Sequence, residues 1–291
     1  MTMTSIIAEF FYHYLEKQEK ATAESAEETV RKQMKGEFVP SKSPKLLNTR
    51  REDTDKGTIF YLNESTSSDR TVFYIHGGAY HADFSKFHWM MIDNIIKHTK
   101  AAVIAPGYRL VPYGTYRDAF DLIVPVYERY VEENPKKKIV LMGDSAGGGL
   151  SLALAEHFKM NGIRLPDELI LLSPWVDIAM DNPELVASQD KDPWLRKSSL
   201  EVYARYWADG LDLHDWHVSP TYGDLKGLDN VTVFLGTEEL IYPDVKKFFA
   251  KLDSNGKNEL IIGEGLLHVY PLMPTPEGKL ADKEIYQRIN R

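Results

Sequence analysis

Short apolar runs alternate with longer segments of helical periodicity along most of the chain. The apolar runs lie at 71–75, 101–105, 138–142, 168–173, 231–236 and 258–262. Helical patterns follow near 87–100, 116–133, 150–158, 243–255 and 277–290. Strands separated by helices of this length are typical of βαβ crossovers. The pattern therefore predicts an α/β fold with a mostly parallel central sheet flanked by helices.

One pair of strand-like segments has no helix between its members. Residues 58–62 and 71–75 are rich in β-branched and aromatic side chains, and the residues from 63 to 69 between them favour turns. We interpret this region as a β-hairpin or meander at the edge of the larger sheet.

The first 50 residues have a different pattern from the rest. Apolar side chains recur at helical spacing within 5–20, and a second helix is predicted over 22–34 with Thr22 as its N-cap. We therefore divide the chain into a helical N-terminal extension, 1–50, and a main domain, 51–291. The extension either packs on the domain or forms a flap over its functional site, and the pattern favours neither.

The alternation is interrupted again at about 178–220. This insertion contains a helical segment near 198–208 and is dense in aromatic residues, which with the preceding Trp175 are Trp194, Tyr203, Tyr206, Trp207 and Trp216. Such residues usually pack an insertion onto the main domain. The alternative is a cap whose aromatic side chains line a ligand pocket, although for any single tryptophan we expect packing.

Composition narrows the classes of function. With 291 residues, the chain fits one large α/β domain or two small ones, and a net charge of −8 argues against a nucleic-acid partner. The absence of cysteine excludes disulfides, thiolate nucleophiles and Cys-based zinc sites, and suits a cytoplasmic protein. Residues 1–17 lack a basic start and a cleavage site, and no run approaches the roughly 20 apolar residues of a membrane span, so we expect no stable membrane insertion.

The chemistry concentrates where the apolar run 138–142 ends. Gly143-Asp144-Ser145-Ala146-Gly147 follows it directly, and a helical run begins at once. A serine at the apex of a sharp strand-to-helix turn has its hydroxyl exposed at the end of a sheet, and glycines permit the close approach of strand and helix. The amide of Ala146 can then donate to a developing oxyanion. The segment is a candidate nucleophile elbow.

Four motifs carry a family resemblance. In chain order they are His76-Gly77-Gly78, Tyr108-Arg109-Leu110 with Pro112, Gly143-Asp144-Ser145-Ala146-Gly147-Gly148, and Ser173-Pro174-Trp175 with Asp177. Together they resemble the α/β-hydrolases of the hormone-sensitive-lipase-like esterase group, over about residues 71–270. The resemblance implies an α/β-hydrolase fold, with a helical cap formed by the N-terminus and the insertion.

The resemblance also implies a triad in the order serine, acid, histidine. Ser145 matches the nucleophile, and His268, which follows the last strand, matches the general base. The acid departs from the family's usual Asp. The variant Gly-Thr-x-acid-x-aliphatic places it at Glu239, with Glu238 and Asp244 as rivals. Asp244 also has an alternative explanation, since it follows Pro243 at a helix start.

The family's oxyanion hole matches the loop after the first predicted parallel strand. Amides of Gly77 and Gly78 are the stronger assignments beside Ala146, and Ala79, which replaces the family's third glycine but keeps its amide, is a third candidate in this loop. His76 and Asp144 are expected to hold the loop and the elbow rather than to act as bases.

No spacing among the remaining histidines supports a metal site. His214 and His217 could share a face with Asp212 or Asp215, but a polar turn explains them better because no motif such as His-Glu-x-x-His is present. We expect neither a metal nor a cofactor.

The residues predict a serine hydrolase that acts on carboxylic esters through an acyl-enzyme. The resemblance implies short- to medium-chain acyl esters as substrates, with deacetylation among the activities of the family. Two alternatives remain: a non-catalytic small-molecule-binding protein of the same fold, and an amide or arylamide hydrolase with the same triad. The sequence leaves the oligomeric state undecided, and an aromatic-rich surface helix can support a homodimer.

Overall fold

The computed structural model describes residues 4–42, 44, 49–66, 68–252 and 257–291. Its strands are β1 Thr49–Thr54, β2 Gly57–Leu62, β3 Arg70–Ile75, β4 Ala102–Tyr108, β5 Lys138–Asp144, β6 Glu168–Leu172, β7 Val231–Gly236 and β8 Glu259–Gly263. Its helices are α1 Ile6–Glu16, α2 Ala23–Met34, α3 Lys86–Thr99, α4 Tyr116–Glu133, α5 Ser145–Met160, α6 Leu185–Lys191, α7 Lys197–Ala208, α8 Tyr242–Phe249 and α9 Pro276–Asn290.

The strands form one sheet in the order β1-β2-β4-β3-β5-β6-β7-β8. From β4 to β8 all neighbours are parallel, whereas β1 and β2 pair antiparallel at one edge. The predicted mostly parallel sheet flanked by helices is confirmed. Because carboxyl ends of parallel strands meet at one edge, the loops after β3, β5, β6, β7 and β8 converge there.

Helices cover both faces of the sheet, so the central strands are buried throughout. In β5 the side chains alternate: Ile139 and Leu141 belong to the apolar cluster that includes α4 and α5, and Val140 and Met142 to the cluster that includes α3 and α9. This two-sided burial explains why β5 reads as an uninterrupted apolar run.

The predicted hairpin of 58–62 with 71–75 is wrong. Strand β2 pairs with β1 and β4, while β3 lies between β4 and β5. The residues of β3 from Thr71 to Ile75 are all buried, and such a strand needs neighbours on both sides. The hairpin partner of β2 is instead the charged edge strand β1, which the apolar pattern does not reveal; the turn of 63–69 is described except at residue 67.

The other differences between the predicted elements and the structure are smaller. Helix α8 ends at Phe249 rather than near 255, and residues 253–256 lie outside the described part. The short helix α6 in the insertion has no predicted counterpart. Among the helices of the described residues, none combines the length and the apolar character needed to cross a bilayer.

The two N-terminal helices have different partners. The backbone N–H of Ser5, the N-cap of α1, donates to Glu277 of α9 at 2.6 Å. Helix α2 instead packs on α7 of the insertion through its buried Ala26 and Val30, and Arg205 pairs with Glu27 at 2.9 Å. Helix α1 therefore packs near the C-terminal helix α9 and helix α2 packs on the insertion, and a flap over the functional site stays a prediction.

Candidate active site

The nucleophile elbow is a strained turn between β5 and α5. Ser145, the first residue of α5, has a φ of 51°, in the left-handed region that side chains rarely adopt. A Cβ on Gly147 would lie 2.1 Å from the carbonyl oxygen of Ile75, so glycine is required where the helix meets β3. The backbone of the elbow is thus held in one conformation, with Ser145 half-buried at the carboxyl edge of the sheet.

Three of the predicted site residues form a continuous hydrogen-bonded row. Ser145 Oγ lies 2.8 Å from His268 Nε2, and His268 Nδ1 lies 2.7 Å from Glu239 Oε2. An ionised carboxylate only accepts hydrogen bonds, so Nδ1 carries the proton and Nε2 is free to accept from the serine hydroxyl. This is the tautomer in which an imidazole can remove the serine proton.

Glu239 is fully buried and its other oxygen is also occupied. Oε1 accepts from the Ser173 hydroxyl at 2.8 Å and from the Gly236 amide at 2.6 Å. The amide of Val269, next to the histidine, donates to the same Ser173 hydroxyl at 2.9 Å. Ser173 therefore fixes both the acid and the segment that carries the base.

The two rival acids lie elsewhere. Asp244, in the first turn of α8, accepts from Asn182 at 2.6 Å, and burial raises its pKa to about 6. The carboxylate of Glu238 contacts the hydroxyl of Thr237 at 3.2 Å. Of the three candidates, the structure brings only Glu239 to the imidazole.

Opposing effects set the protonation of His268. The ring is buried, which by itself lowers its pKa, but the hydrogen bond and the charge of Glu239 raise the pKa and prevail. The charges of Asp192 and Asp144 act in the same direction. Compared with an ordinary histidine, the site therefore stabilises the imidazolium form, which arises when the ring accepts a proton.

The structure contradicts the assignment of Gly77 as an oxyanion donor. Its N–H donates to Asp144 Oδ1 at 3.1 Å and is not available to a substrate. The glycine is needed for close packing, because a Cβ there would lie 2.4 Å from Asp144 Oδ2. Gly77 thus joins the loop to the elbow.

The amides of the next two residues remain for the oxyanion hole. Gly78 has a φ of 114° and Ala79 a φ of 49°, and neither amide has an acceptor among the described residues. The amide of Ala146 lies in the first turn of α5, where a helix has no intrahelical acceptor for its N–H groups. We therefore assign the donors to Gly78, Ala79 and Ala146.

His76 and Asp144 support the loop, in agreement with their expected roles. The ring of His76 stacks on Tyr108 at 4.6 Å between centroids, and burial lowers its pKa to about 4. The hydroxyl of Tyr108 donates to the carbonyl of His76 at 2.7 Å, which explains the tyrosine of the second motif. Asp144 also accepts from Tyr74 at 2.8 Å and lies 3.2 Å from His88 Nε2.

The aromatic residues of the insertion divide into two kinds. Trp207 is buried and stacks on Tyr80 of the oxyanion loop at 4.0 Å, and Trp175 is buried beside the same tyrosine, so both pack as predicted. Trp194 differs: it is 42% exposed, and its ring meets His268 edge-on at 6.0 Å. Trp194 thus places its ring beside the hydrogen-bonded row, whereas Trp175 contacts that row through its backbone N–H, which donates to the carbonyl of Ser145 at 2.8 Å.

His214 and His217 are engaged with neighbouring carboxylates. His214 lies 2.9 Å from Asp181, and His217 lies 2.6 Å from Asp215. Within the part of the chain that the structure describes, no group of three or more potential metal ligands is assembled.

Known proteins are similar to this chain in both sequence and architecture. A protein family described as having an alpha/beta hydrolase fold matches residues 72–272, more than half of the chain. An esterase from Acinetobacter venetianus is 31% identical over 194 residues, which cover 66% of this chain and 64% of that protein. An acetyl-hydrolase from Streptomyces hygroscopicus is 28% identical over 190 residues, which cover 65% and 64%. The match thus spans less than two thirds of the length of either relative.

The solved structures agree at the level of the fold. A hormone-sensitive lipase from a metagenome library superimposes with a TM-score of 0.82 at 23% identity, and 99% of each chain is covered. The family match and the common fold confirm the resemblance found in the motifs, and the chain belongs to the α/β-hydrolase fold family.

Proposed function

We propose that the protein is a serine carboxylesterase that hydrolyses short- to medium-chain acyl esters, acetyl esters among them, through an acyl-enzyme. The observation that carries the proposal is the continuous row from Ser145 through His268 to Glu239 at a strained elbow. The relatives named esterase and acetyl-hydrolase support the substrate class.

The first half-reaction forms the acyl-enzyme. Ser145 Oγ attacks the ester carbonyl carbon while its proton passes to His268 Nε2, and the carbonyl electrons move to oxygen. Amides of Gly78, Ala79 and Ala146 stabilise the oxyanion, and Glu239 stabilises the imidazolium. When the tetrahedral intermediate collapses, the bond to the alcohol oxygen breaks and His268 returns the proton to the leaving alcohol.

The second half-reaction repeats these steps with water. His268 takes a proton from water as the water oxygen attacks the acyl carbon, and the same amides hold the second oxyanion. Collapse then breaks the bond to Ser145 Oγ, which recovers a proton from His268, and the carboxylic acid leaves. The protein ends in its starting protonation state.

The test is hydrolysis of p-nitrophenyl esters from acetate to decanoate, with a serine-directed phosphonate and mass mapping of the label. We expect a short-chain optimum, label on Ser145, and loss of turnover in a folded Ser145→Ala variant. Full activity in that variant would exclude Ser145 as the nucleophile. Absence of both turnover and label would instead favour the non-catalytic binding protein. Acetyl anilides compared with matched acetyl esters test the remaining alternative, since a preference for the anilides would favour the amide hydrolase.

Other features predicted from the sequence stay predictions. They are the cytoplasmic location, the homodimer, and the division into an N-terminal extension, 1–50, and a main domain, 51–291, with its insertion at about 178–220. Cell fractionation tests the location, and light scattering after size-exclusion chromatography tests the homodimer. Limited proteolysis tests the division of the chain.

A further inference from the structure

A carboxylate that the mechanism does not use lies beside the active site. Asp192 follows α6 in the insertion and is 2% exposed. Burial of a carboxylate is costly unless hydrogen-bond donors surround it, so its partners indicate what it does.

Three backbone amides donate to Asp192, and they come from two parts of the chain. Oδ1 accepts from the amides of Trp194 and Leu195 at 2.7 and 2.8 Å, which closes the loop that follows α6. Oδ2 accepts from the amide of Leu240 at 2.7 Å. Because Leu240 directly follows Glu239, this carboxylate fastens the insertion to the segment that carries the triad acid.

The same loop also reaches the triad base. The ring of Trp194 meets the imidazole of His268 edge-on, with 6.0 Å between centroids and 68° between planes. Asp192 thus acts on Glu239 through Leu240 and on His268 through Trp194. Both links depend on one side chain.

The charged and titratable groups that interact with Asp192 are Tyr12, Lys20, Arg196 and His268. Glu239 directly precedes Leu240, whose amide donates to Asp192. Lys20 donates to the carbonyl oxygens of Leu15 and Pro193, and Arg196 donates to the backbone carbonyl of Asp192 at 2.7 Å. Both cations bond to backbone oxygens, and the three donors to the carboxylate itself are neutral amides. Burial raises the pKa of Asp192, the amides and His268 oppose that rise, and the charge of Asp192 in turn raises the pKa of His268.

We propose that Asp192 is a positioning residue of the active site, which couples the seating of the insertion to the alignment of Glu239 and His268 and adds a second negative charge near the imidazolium formed during turnover. The proposal rests on the esterase function proposed above. It assigns to the insertion a part in the chemistry.

The first test is Asp192→Asn. An amide removes the charge and turns a donor toward at least one of the three N–H groups, so the loop and Glu239 shift. We expect kcat to fall roughly 10- to 100-fold with KM nearly unchanged, as for a small displacement of catalytic groups. We also expect the acid limb of kcat/KM to move to lower pH, because loss of a nearby negative charge lowers the pKa of His268. Asp190→Asn is the matched control: it removes the same charge from an exposed position two residues away and should change neither quantity.

A measurement without substrate separates this proposal from the function on which it rests. The His268 ring can be titrated by proton NMR, and we expect its midpoint to be lower in Asp192→Asn than in wild type and in Asp190→Asn. If Asp192→Asn does not fold, Asp192→Ser serves in its place, since its hydroxyl accepts a hydrogen bond without a charge. Asp192→Glu restores the charge and should move the midpoint back toward the wild-type value.

The outcomes are distinct. A lower kcat with an unmoved acid limb and an unmoved His268 midpoint reduces Asp192 to an ordinary structural contact and overturns the proposal, as does an unchanged kcat. Wild-type protein that neither hydrolyses esters nor takes the phosphonate label contradicts the proposed function. In that case the His268 titration still decides whether Asp192 acts on the imidazole.

Discussion

Asp144 Oδ1 accepts the N–H of Gly77 at 3.1 Å, and this contact joins the nucleophile elbow to the oxyanion loop. Asp144 directly precedes Ser145, and Gly77 directly precedes Gly78. In the proposed mechanism, this one buried carboxylate sets the distance between the attacking oxygen and the amides that stabilise the negative charge. Preorganised donors of this kind stabilise a transition state without reorganising during the reaction.

Asp144→Asn should weaken both activity and stability. His88 Nδ1 accepts from the amide of Ser85 at 2.9 Å, so the proton is on Nε2, which donates to Asp144 Oδ2. An asparagine must place its NH₂ either against that donor or against Gly77 and Tyr74. We expect a loss of about 1–3 kcal/mol in the free energy of unfolding and a lower kcat, measured by urea denaturation and ester kinetics.

Tyr74→Phe is the control for this variant. It removes one donor to Asp144 but leaves the contact with Gly77, so stability should fall by about 1 kcal/mol while kcat changes little. Wild-type kcat in Asp144→Asn would show that the oxyanion loop keeps its position without this carboxylate.

Glu239→Gln should nearly abolish turnover while the neighbouring acids remain dispensable. The amide can offer NH₂ to His268 Nδ1 and so favours the tautomer whose Nε2 carries a proton and cannot accept from Ser145. In serine proteases the equivalent change costs about 10⁴ in kcat, and we expect a loss of roughly 10²–10⁴ here. The rate of single-turnover acylation in Glu239→Gln, Glu238→Gln and Asp244→Asn measures the effect. A large loss of rate in Glu238→Gln or Asp244→Asn would indicate that Glu239 is not the triad acid.

Ala79→Gly should stabilise the protein. Ala79 has a φ of 49°, a conformation that costs an alanine roughly 1–2 kcal/mol and a glycine little. After allowance for the greater freedom of glycine in the unfolded chain, we expect a gain of about 0.5–1 kcal/mol in unfolding free energy. Ala82→Gly, at a position outside the left-handed region, should lower stability instead; a loss in both variants would mean that the Ala79 methyl makes a contact worth more than the strain.

Local sequence patterns predict most of the fold and the central residues of the site. The central strands were predictable because burial on both faces makes each an apolar run, as in β5, and Ser145 and His268 stand in motifs next to strand ends. The charged strand β1 was missed because an exposed edge strand needs no apolar side chains. The order β2-β4-β3 is a property of pairing between distant segments, which no single window of sequence contains.

The missed site residues act across the chain. Ser173 meets Glu239 from a neighbouring strand end, and Asp192 meets Leu240 from the insertion. Ser173 stands in the fourth motif, which was the available signal, but its contact with Glu239 depends on the pairing of β6 with β7, which the sequence does not show. The assignment of Gly77 was wrong because the direction of an amide depends on backbone torsions, and the loop formed by two adjacent glycines permits several.

The pH dependence of kcat/KM should report the environment of His268. Turnover needs the neutral ring, so activity is lost as pH falls through the pKa of the histidine in the free enzyme. Glu239 and the other nearby carboxylates raise that pKa above the ordinary 6.5. We expect the midpoint of the acid limb above pH 6.5 with p-nitrophenyl acetate; a midpoint well below it would mean that burial outweighs the carboxylates.

A buried acid far from the row makes stability depend on pH. Glu156 of α5 is fully buried, and its carboxyl packs so tightly on Gly223 that a Cβ there would lie 1.6 Å from Oε2. Burial raises its pKa from 4.5 to about 8. The folded protein therefore holds a proton that the unfolded chain releases between these two values.

The sign of the effect follows from that difference. The stabilising contribution of protonated Glu156 is complete below pH 4.5 and is lost progressively as pH rises toward 8, since the unfolded chain binds fewer protons there. Glu156→Gln keeps the shape without the ionisation, so its advantage over wild type should grow to a few kcal/mol across this interval. Urea denaturation of both proteins at pH 5, 7 and 8.5 measures this difference in unfolding free energy. The same difference at all three pH values would show that the carboxyl reaches water in the folded state.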